Sequence, residues 1–314
     1  MTIDICIPVY RPDKKLKHLF DMLSAQTVKP NNLIIMYTQK DENDHLEKEY
    51  TDRIVGNYEV YEVDRSDFDH GGTRALAVEY SKSEIFIMMT QDAVPKDRLL
   101  IEKLTKIFEN NGTVAAAYAR QMATDKSGLT ERFTRSFNYP EESVYKTKED
   151  MDKMGIKAFF CSNVCAAYRR DIYNKLGGFT KKTVFNEDMI YAYKVIIEGY
   201  GILYAADAKV IHTHEYSAMQ QFHRNFDLGV SQAMYSEVFD NISSESEGFK
   251  YIKSAYDFFK KENSAFAVIP FIWGCCFKYA GFIMGKNYKK LPYGIIVACG
   301  MNKDFYQNNN LLFK

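Results

Sequence analysis

An aspartate stands just beyond an apolar run in Ile85-Phe86-Ile87-Met88-Met89-Thr90-Gln91-Asp92-Ala93. The run has the length and composition of a buried parallel strand. Open α/β sheets take their ligands beyond the carboxyl ends of the strands. A carboxylate there can ligate a divalent cation, and the cation can ligate a diphosphate. A second acidic element, Asn186-Glu187-Asp188, follows much later, and His212-Thr213-His214 closes another apolar stretch. Residues two apart on a strand face the same side, so either imidazole can serve the metal as a neutral base. One of the two acids can act as general base, because an acceptor hydroxyl is a poor nucleophile until its proton is taken. Metal carboxylate, base and distal histidine together suggest group transfer from a nucleotide-activated donor.

Each of these residues also has a plainer reading. Asp92 can be a turn residue or helix cap. Glu187 and Asp188 are favoured at a helix start by its dipole alone. One of His212 and His214 can be a core residue and the other exposed. In Asp69-His70-Gly71-Gly72-Thr73-Arg74 the paired glycines let backbone approach a ligand, the helix start offers free N–H groups, and Arg74 adds a charged fork. Such an element can cradle a diphosphate or part of a sugar, or it is a tight turn with a surface arginine. Arg224 lies on a helical stretch, where it either contacts the donor diphosphate or belongs to a solvated face.

The elements that must position these groups alternate. Strands are expected at Ile3–Val9, Leu33–Tyr37, Tyr58–Val63, the run before Asp92, and Val114–Arg120. Helices are expected at Asp13–Ala25, where Leu16, Leu19, Phe20 and Leu23 share a face, at Thr73–Ser81 after the glycines, and at Arg98–Asn110. Met122–Lys157 is polar and weakly periodic. Ala158–Tyr168 reads as a central strand, Asp171–Leu176 as a short helix capped by Asp171, and Glu187–Glu198 as a helix capped by Asn186. Two short strands, Ile202–Tyr204 and Lys209–His212, follow. The order implies an α/β fold, a mostly parallel central sheet with helices on both faces. No G-x-G-x-x-G follows the first strand; Pro8-Val9-Tyr10-Arg11-Pro12 stands there instead, which argues against nicotinamide and flavin chemistry.

The 314 residues are enough for one large domain with an appendage or for two domains. A division is expected into a domain over 1–240 and a C-terminal helical segment over 241–314, joined by the Ser- and Glu-rich run Asn241–Gly248. Lys plus Arg and Asp plus Glu both number 41, so the net basic field of a nucleic-acid binder is missing. Six scattered cysteines lack zinc spacing and read as free thiols of a reducing compartment. Met1 runs straight into a strand with no signal-like segment, and a cytoplasmic location is expected. Residues 265–285 approach membrane-spanning length but contain Pro270 and Lys278 and are followed by lysines. The segment reads as an interfacial helix at the inner face of the membrane, or as a core or homodimer contact.

Several pieces in order resemble glycosyltransferase family 2, and more closely its bacterial rhamnosyltransferase branch. They are Ile7-Pro8-Val9-Tyr10, His70-Gly71-Gly72-Thr73-Arg74, Thr90-Gln91-Asp92-Ala93-Val94-Pro95, Phe160-Cys161-Ser162-Asn163 leading to Tyr168-Arg169-Arg170, and Gly178-Phe179. Asn186-Glu187-Asp188, Gly199-Tyr200, His212-Thr213-His214 and Gly285-Lys286-Asn287-Tyr288 with Leu291-Pro292 complete the set. The likeness runs from Ile3 to about Pro292.

The resemblance implies a GT-A (Rossmann-like) fold and inverting, Mg²⁺- or Mn²⁺-dependent transfer. The donor would be dTDP-β-L-rhamnose, and the acceptor a glycan, growing and lipid-linked, of the cell surface. Asp188 would be the catalytic base. Asp92 with His212 or His214 would hold the metal. Pro8, Tyr10, Arg11, Thr38, Asp67, Gly71, Gly72, Arg74, Gln91, Asp92, Asn163, Glu187 and Arg224 would line the nucleotide-sugar site. Two departures stand out. The family's Asp-x-Asp triplet reads Thr90-Gln91-Asp92 here, one carboxylate fewer. The second strand runs into Met36-Tyr37-Thr38-Gln39-Lys40-Asp41 without the usual base-contacting aspartate, which leaves a UDP-hexose donor open. A glycosidase and a non-catalytic glycan or nucleotide-sugar binding subunit are the other readings.

Overall fold

The computed structural model describes residues 1–240 and 247–313. The expected linker at 241–248 therefore lies mostly outside the described residues. The chain forms two compact units. The first comprises Met1–Met122, Tyr139–Lys182 and Glu187–His212; the second comprises Ala123–Asn138, Thr183–Asn186 and the chain from Thr213 onward. The division expected after residue 240 falls inside the second unit.

Nine strands build one sheet in the first unit: β1 (Ile3–Val9), β2 (Asn32–Thr38), β3 (Tyr58–Val63), β4 (Ile85–Met89), β5 (Val94–Pro95), β6 (Val114–Met122), β7 (Val144–Lys146), β8 (Cys165–Arg169) and β9 (Gly201–Ile211). Their order is β3-β2-β1-β4-β8-β6-β9-β5, with β7 also on β9. The run β3-β2-β1-β4 is parallel. β8 enters antiparallel between β4 and β6. That insertion brings the start of β8 beside the carboxyl end of β4, with Met89 opposite Cys165.

The longer helices are α1 (Lys14–Ser24), α2 (His70–Tyr80), α3 (Leu100–Asn110), α4 (Leu129–Asn138), α5 (Glu187–Ile197), α6 (Ala218–Met234), α7 (Glu247–Lys261) and α8 (Val268–Lys286). α1 forms as its periodicity dictates. Asp13 caps it by accepting the Lys15 N–H, and Leu16, Leu19, Phe20 and Leu23 are all buried. They pack with Ile5, Ile7, Ile35, Ile87 and Leu104 in one core.

Four expectations are corrected. α2 begins at His70 rather than Thr73, because Asp69 accepts the Gly72 N–H at 2.6 Å and draws both glycines into the first turn. Only Cys165–Arg169 is strand within the stretch 158–168. Gly155–Phe159 is a tight helical turn, apolar because it is buried, and periodicity alone does not separate those cases. Arg169, not Asp171, precedes the helix Arg170–Lys175. The two short strands after Gly199 are one, β9. It bulges against β6, where Ala119 pairs Ala205 but Arg120 pairs Lys209. The polar stretch after Met122 also contains helix α4 and strand β7.

In the second unit α8 crosses α6 backbone to backbone. A Cβ on Gly281 would collide with the Phe222 carbonyl, one on Gly285 with the Phe226 carbonyl, and one on Gly229 with the Phe282 carbonyl. Asp227 of α6 is buried and accepts from the Met301 and Asn302 N–H groups and the Tyr306 hydroxyl. Burial pushes its carboxyl up to about 6, against these hydrogen bonds. Gly285→Val is expected to cost about 1–3 kcal/mol or more through overpacking. Urea unfolding checks it; an unchanged midpoint would contradict so close a crossing.

Candidate active site

Asp92 lies three residues past the end of β4. Its Oδ1 is 3.5 Å from His212 Nε2, and its Oδ2 is 4.0 Å from Lys15 Nζ. His212 follows the end of β9 and is nearly buried, its N–H donating to the Met122 carbonyl at 3.1 Å. The other ring nitrogen, Nδ1, is 2.9 Å from Gln121 Oε1. Gln121 Nε2 in turn donates to the Tyr139 hydroxyl (2.5 Å) and to Ser162 Oγ (2.9 Å). With Nδ1 donating to Gln121 Oε1, Nε2 would offer its lone pair toward Asp92. A carboxylate oxygen facing an imidazole lone pair is a donor set that suits a divalent cation.

The acidic pair is wired to the same network. Asn163, next to Ser162, donates its N–H to Asp188 Oδ2 (2.9 Å) and its amide to Glu187 Oε1 (3.0 Å), while its carbonyl oxygen accepts from Tyr168 (2.8 Å). Tyr168 sits on β8, and the Thr90 N–H donates to the Val164 carbonyl, so the loops around Asp92 and Asn163 lie edge to edge. Hydrogen bonds thus join His212 to Gln121 and Gln121 to Ser162, the chain neighbour of Asn163, which in turn donates to Asp188; Asp92 stands 3.5 Å from His212. Lys146 secures the loop before it. Its ammonium is buried and donates to the carbonyls of Lys157 and Phe160, and burial drives it down to about 8.

Asp188 opens α5 and also accepts the Met189 N–H at 2.8 Å. Burial, then the adjacent Glu187 charge, raises its carboxyl to about 7; Asn163, Arg74 and the Met189 N–H pull the other way. A carboxylate poised near neutrality is suited to general-base work. Asn186 precedes it in the left-handed region at φ 64°, a conformation that favours asparagine.

Arg74 is placed differently from a free phosphate fork. It is buried, pairs with Glu187 Oε1 at 3.2 Å, and also donates to the His70 carbonyl. The His-Gly-Gly-Thr-Arg element therefore braces the Glu-Asp element. Gly72 is required locally, since a Cβ there would collide with the Asp69 carboxylate that caps it. Gln91 exchanges two 2.9 Å hydrogen bonds with the Tyr10 backbone, tying the loop after β1 to the loop after β4. Arg11, at φ 47°, stacks over the Tyr10 ring, and Pro8 ends the same strand region. Thr38 Oγ1, Thr73 Oγ1, Thr90 Oγ1 and Arg74 Nε are buried and find no hydrogen-bond partner among the described residues. Such atoms are the kind a bound polar ligand satisfies. Asp67 is exposed in the turn after β3.

His214 and Arg224 belong to the second unit. There His214 stacks on Tyr216 at 5.0 Å, and Arg224 lies over Phe185 and Tyr216. The sequence reading missed Gln121, Ser162, Tyr139 and Lys146. Gln121 had one legible signal, a polar residue at the carboxyl end of an apolar strand. Gln121→Leu is expected to weaken Mn²⁺ binding about 10–100-fold by freeing the His212 tautomer. Calorimetric titration of the protein with Mn²⁺ checks this, and unaltered affinity would remove Gln121 from the site.

A family model described as glycosyl transferase family 2 matches residues 4–177. The O-antigen chain rhamnosyltransferase RfbN of Salmonella typhimurium is 33% identical over 311 residues, covering 98% of this chain and 97% of that protein. The O-antigen chain rhamnosyltransferase WbaN of Salmonella anatum is 32% identical, over 98% of this chain and 96% of that protein. In fold, the chain is similar to the mannosyltransferase PcManGT of Pyrobaculum calidifontis, solved with GDP-Man and Mn²⁺. The TM-score is 0.55 at 14% identity, covering 99% of this chain and 82% of that one. The expected GT-A fold is present. The chain belongs to glycosyltransferase family 2, in its rhamnosyltransferase-like branch, and is a glycosyltransferase.

Proposed function

We propose that this enzyme transfers L-rhamnose from dTDP-β-L-rhamnose, with inversion, to a hydroxyl of a lipid-linked bacterial surface polysaccharide at the inner face of the membrane. The observation that carries the reading is the polar chain from Asp92 to Asp188, which gathers a cation-binding pair and a base of near-neutral pKa along one edge of the sheet. The two relatives of similar length, both O-antigen chain rhamnosyltransferases by name, favour this donor and acceptor class.

In this proposal Asp188 accepts the proton of the acceptor hydroxyl as that oxygen attacks the anomeric carbon. Asp92 and His212 would hold Mg²⁺ or Mn²⁺, with His214, two residues on in the chain, as a third ligand. When bound, the cation neutralises charge on the departing nucleotide diphosphate. Tyr10, Thr38 and Gln91 border the nucleotide. Glu187, Arg74 and Asn163 fix the position of Asp188 rather than reacting.

A donor panel tests the reading. The enzyme is incubated with a lipid-linked glycan acceptor and dTDP-rhamnose, UDP-glucose, UDP-galactose or GDP-mannose, and nucleotide release is followed. Acceptor-dependent release from dTDP-rhamnose above all others is the expected result. Preference for a UDP-hexose would overturn the donor assignment, consistent with the missing aspartate after β2. Donor binding without turnover would point to a binding subunit.

A further inference from the structure

The helical stretch Ala265–Lys286 is 22 residues long and apolar enough to cross a membrane by length and composition. It does not fold as a free span. One face, carrying Gly281 and Gly285, is locked onto the backbone of α6. α6 bears Arg224 and the buried, hydrogen-bonded Asp227, so it cannot accompany α8 into hydrocarbon. Among the described residues, nothing covers the opposite face. Phe266 is 85% exposed, Ile269 65%, Trp273 62% and Ile283 40%. Their spacing of three, four and then ten residues follows the helical repeat, so they form one stripe. Cys276 and Ala280 fill the gap in that stripe and are also exposed, and no charged residue interrupts it.

Charge decides what covers this stripe. The whole chain is neutral, yet residues 250–313 hold nine lysines against three acids. Lys260 and Lys261 precede the stripe, beyond Glu262, which pairs with Arg132, and Lys289 and Lys290 follow it, all four lysines exposed. A second copy would bring the same lysines up against these, at a cost in repulsion. A negatively charged lipid surface meets both features at once: acyl chains for the stripe and headgroups for the flanking ammonium groups.

We propose that α8 lies in the plane of an anionic bilayer's interface, with the stripe from Phe266 to Ile283 inserted and the lysines at its two ends on the headgroups. The helix is a monotopic anchor, held out of a spanning orientation by its glycine contact with α6. The inference is independent of which sugar the enzyme moves.

Trp273 is the only tryptophan of the chain, so its fluorescence reports on the stripe directly. The purified full-length protein is mixed with vesicles of phosphatidylcholine alone or with phosphatidylglycerol, without donor or acceptor. With phosphatidylglycerol, emission shifts to the blue and is quenched by lipids brominated on the acyl chains. The effect weakens as salt rises. Phe266→Ser with Ile269→Ser, both exposed positions, weakens partitioning about 100-fold while circular dichroism stays that of the parent. Lys289→Glu with Lys290→Glu weakens it about tenfold or more, without touching the stripe.

Trp273 emission indifferent to vesicles would overturn the proposal. So would equal binding to neutral vesicles at all salt concentrations. A blue shift that grows with protein concentration in the absence of lipid, with a dimer in sedimentation, would assign the stripe to a second copy instead. Retention of the membrane-bound protein through alkaline carbonate would mean that the helix spans.

Discussion

Asp188→Asn loses sugar transfer by about 10²–10⁴-fold while nucleotide-sugar binding stays close to that of the parent enzyme. The substitution keeps one oxygen to accept the Asn163 N–H, removes the capacity to take a proton, and turns an NH2 toward the Met189 N–H that the second carboxylate oxygen accepted. The same variant is expected to be more stable. Burial and the Glu187 charge raise the folded carboxyl to about 7, from an ordinary value of 3.8. The folded state therefore holds its proton over a range in which the unfolded chain has released it. Stability falls as pH rises from about 4 to 7, and the full penalty stands above 7. Asparagine carries no such penalty, so its melting temperature exceeds that of the parent at pH 8, and the gap narrows toward pH 4. The parent's kcat/KM falls as pH drops below about 7, as the base is protonated. Initial rates across pH and paired melting curves check both halves. Normal turnover by Asp188→Asn would end its assignment as base.

Removal of the cation-binding pair has an effect of similar size by another route. His212→Ala and Asp92→Asn are each expected to weaken Mn²⁺ binding by more than the about 10–100-fold expected of Gln121→Leu, since they remove ligands rather than a residue that orients one. Exhaustive treatment with a chelator is expected to stop transfer by the parent enzyme, and Mg²⁺ or Mn²⁺ to restore it. The chemistry at Asp92 rests on one carboxylate oxygen and one imidazole nitrogen 3.5 Å apart, with Thr90 standing where the resembled pattern has a second aspartate. Affinity is therefore expected to be modest and the cation readily exchanged. Full transfer in the chelated enzyme would remove the metal from the account.

What could be read from the chain was set by where periodicity carries information. β1 and α1 fell within a residue or so of their expected bounds, because their apolar residues repeat at two or at three and four. Asp92 was legible as a ligand-edge carboxylate because the run before it is uniformly apolar. The start of α2 was not, since Gly71 and Gly72 have poor helix propensity and only the Asp69 cap draws them in. The stretch before β8 was not, since burial makes a turn as apolar as a strand.

The site shows the same division. Residue types pointed to Asp92, Asp188 and the histidine pair, but not to how they are joined. Gln121 and Asn163 act through amide orientation, which no spacing records. Arg74 looked like a phosphate ligand because an arginine after two glycines at a helix start offers that geometry. Its pairing with Glu187 depends on a contact between residues more than a hundred positions apart.

In the proposed mechanism Asp92 and His212 would bind a cation that engages the donor diphosphate on the sheet edge shared with Asp188. The direct measurement is anomalous diffraction at the manganese edge from crystals of the enzyme soaked with Mn²⁺ and a nucleoside diphosphate. One strong peak is expected, bonded to Asp92 Oδ1 and His212 Nε2, with both phosphates on it and Asp188 facing the open side where the sugar would lie. A peak elsewhere, or a diphosphate bound away from Asp92, would contradict it.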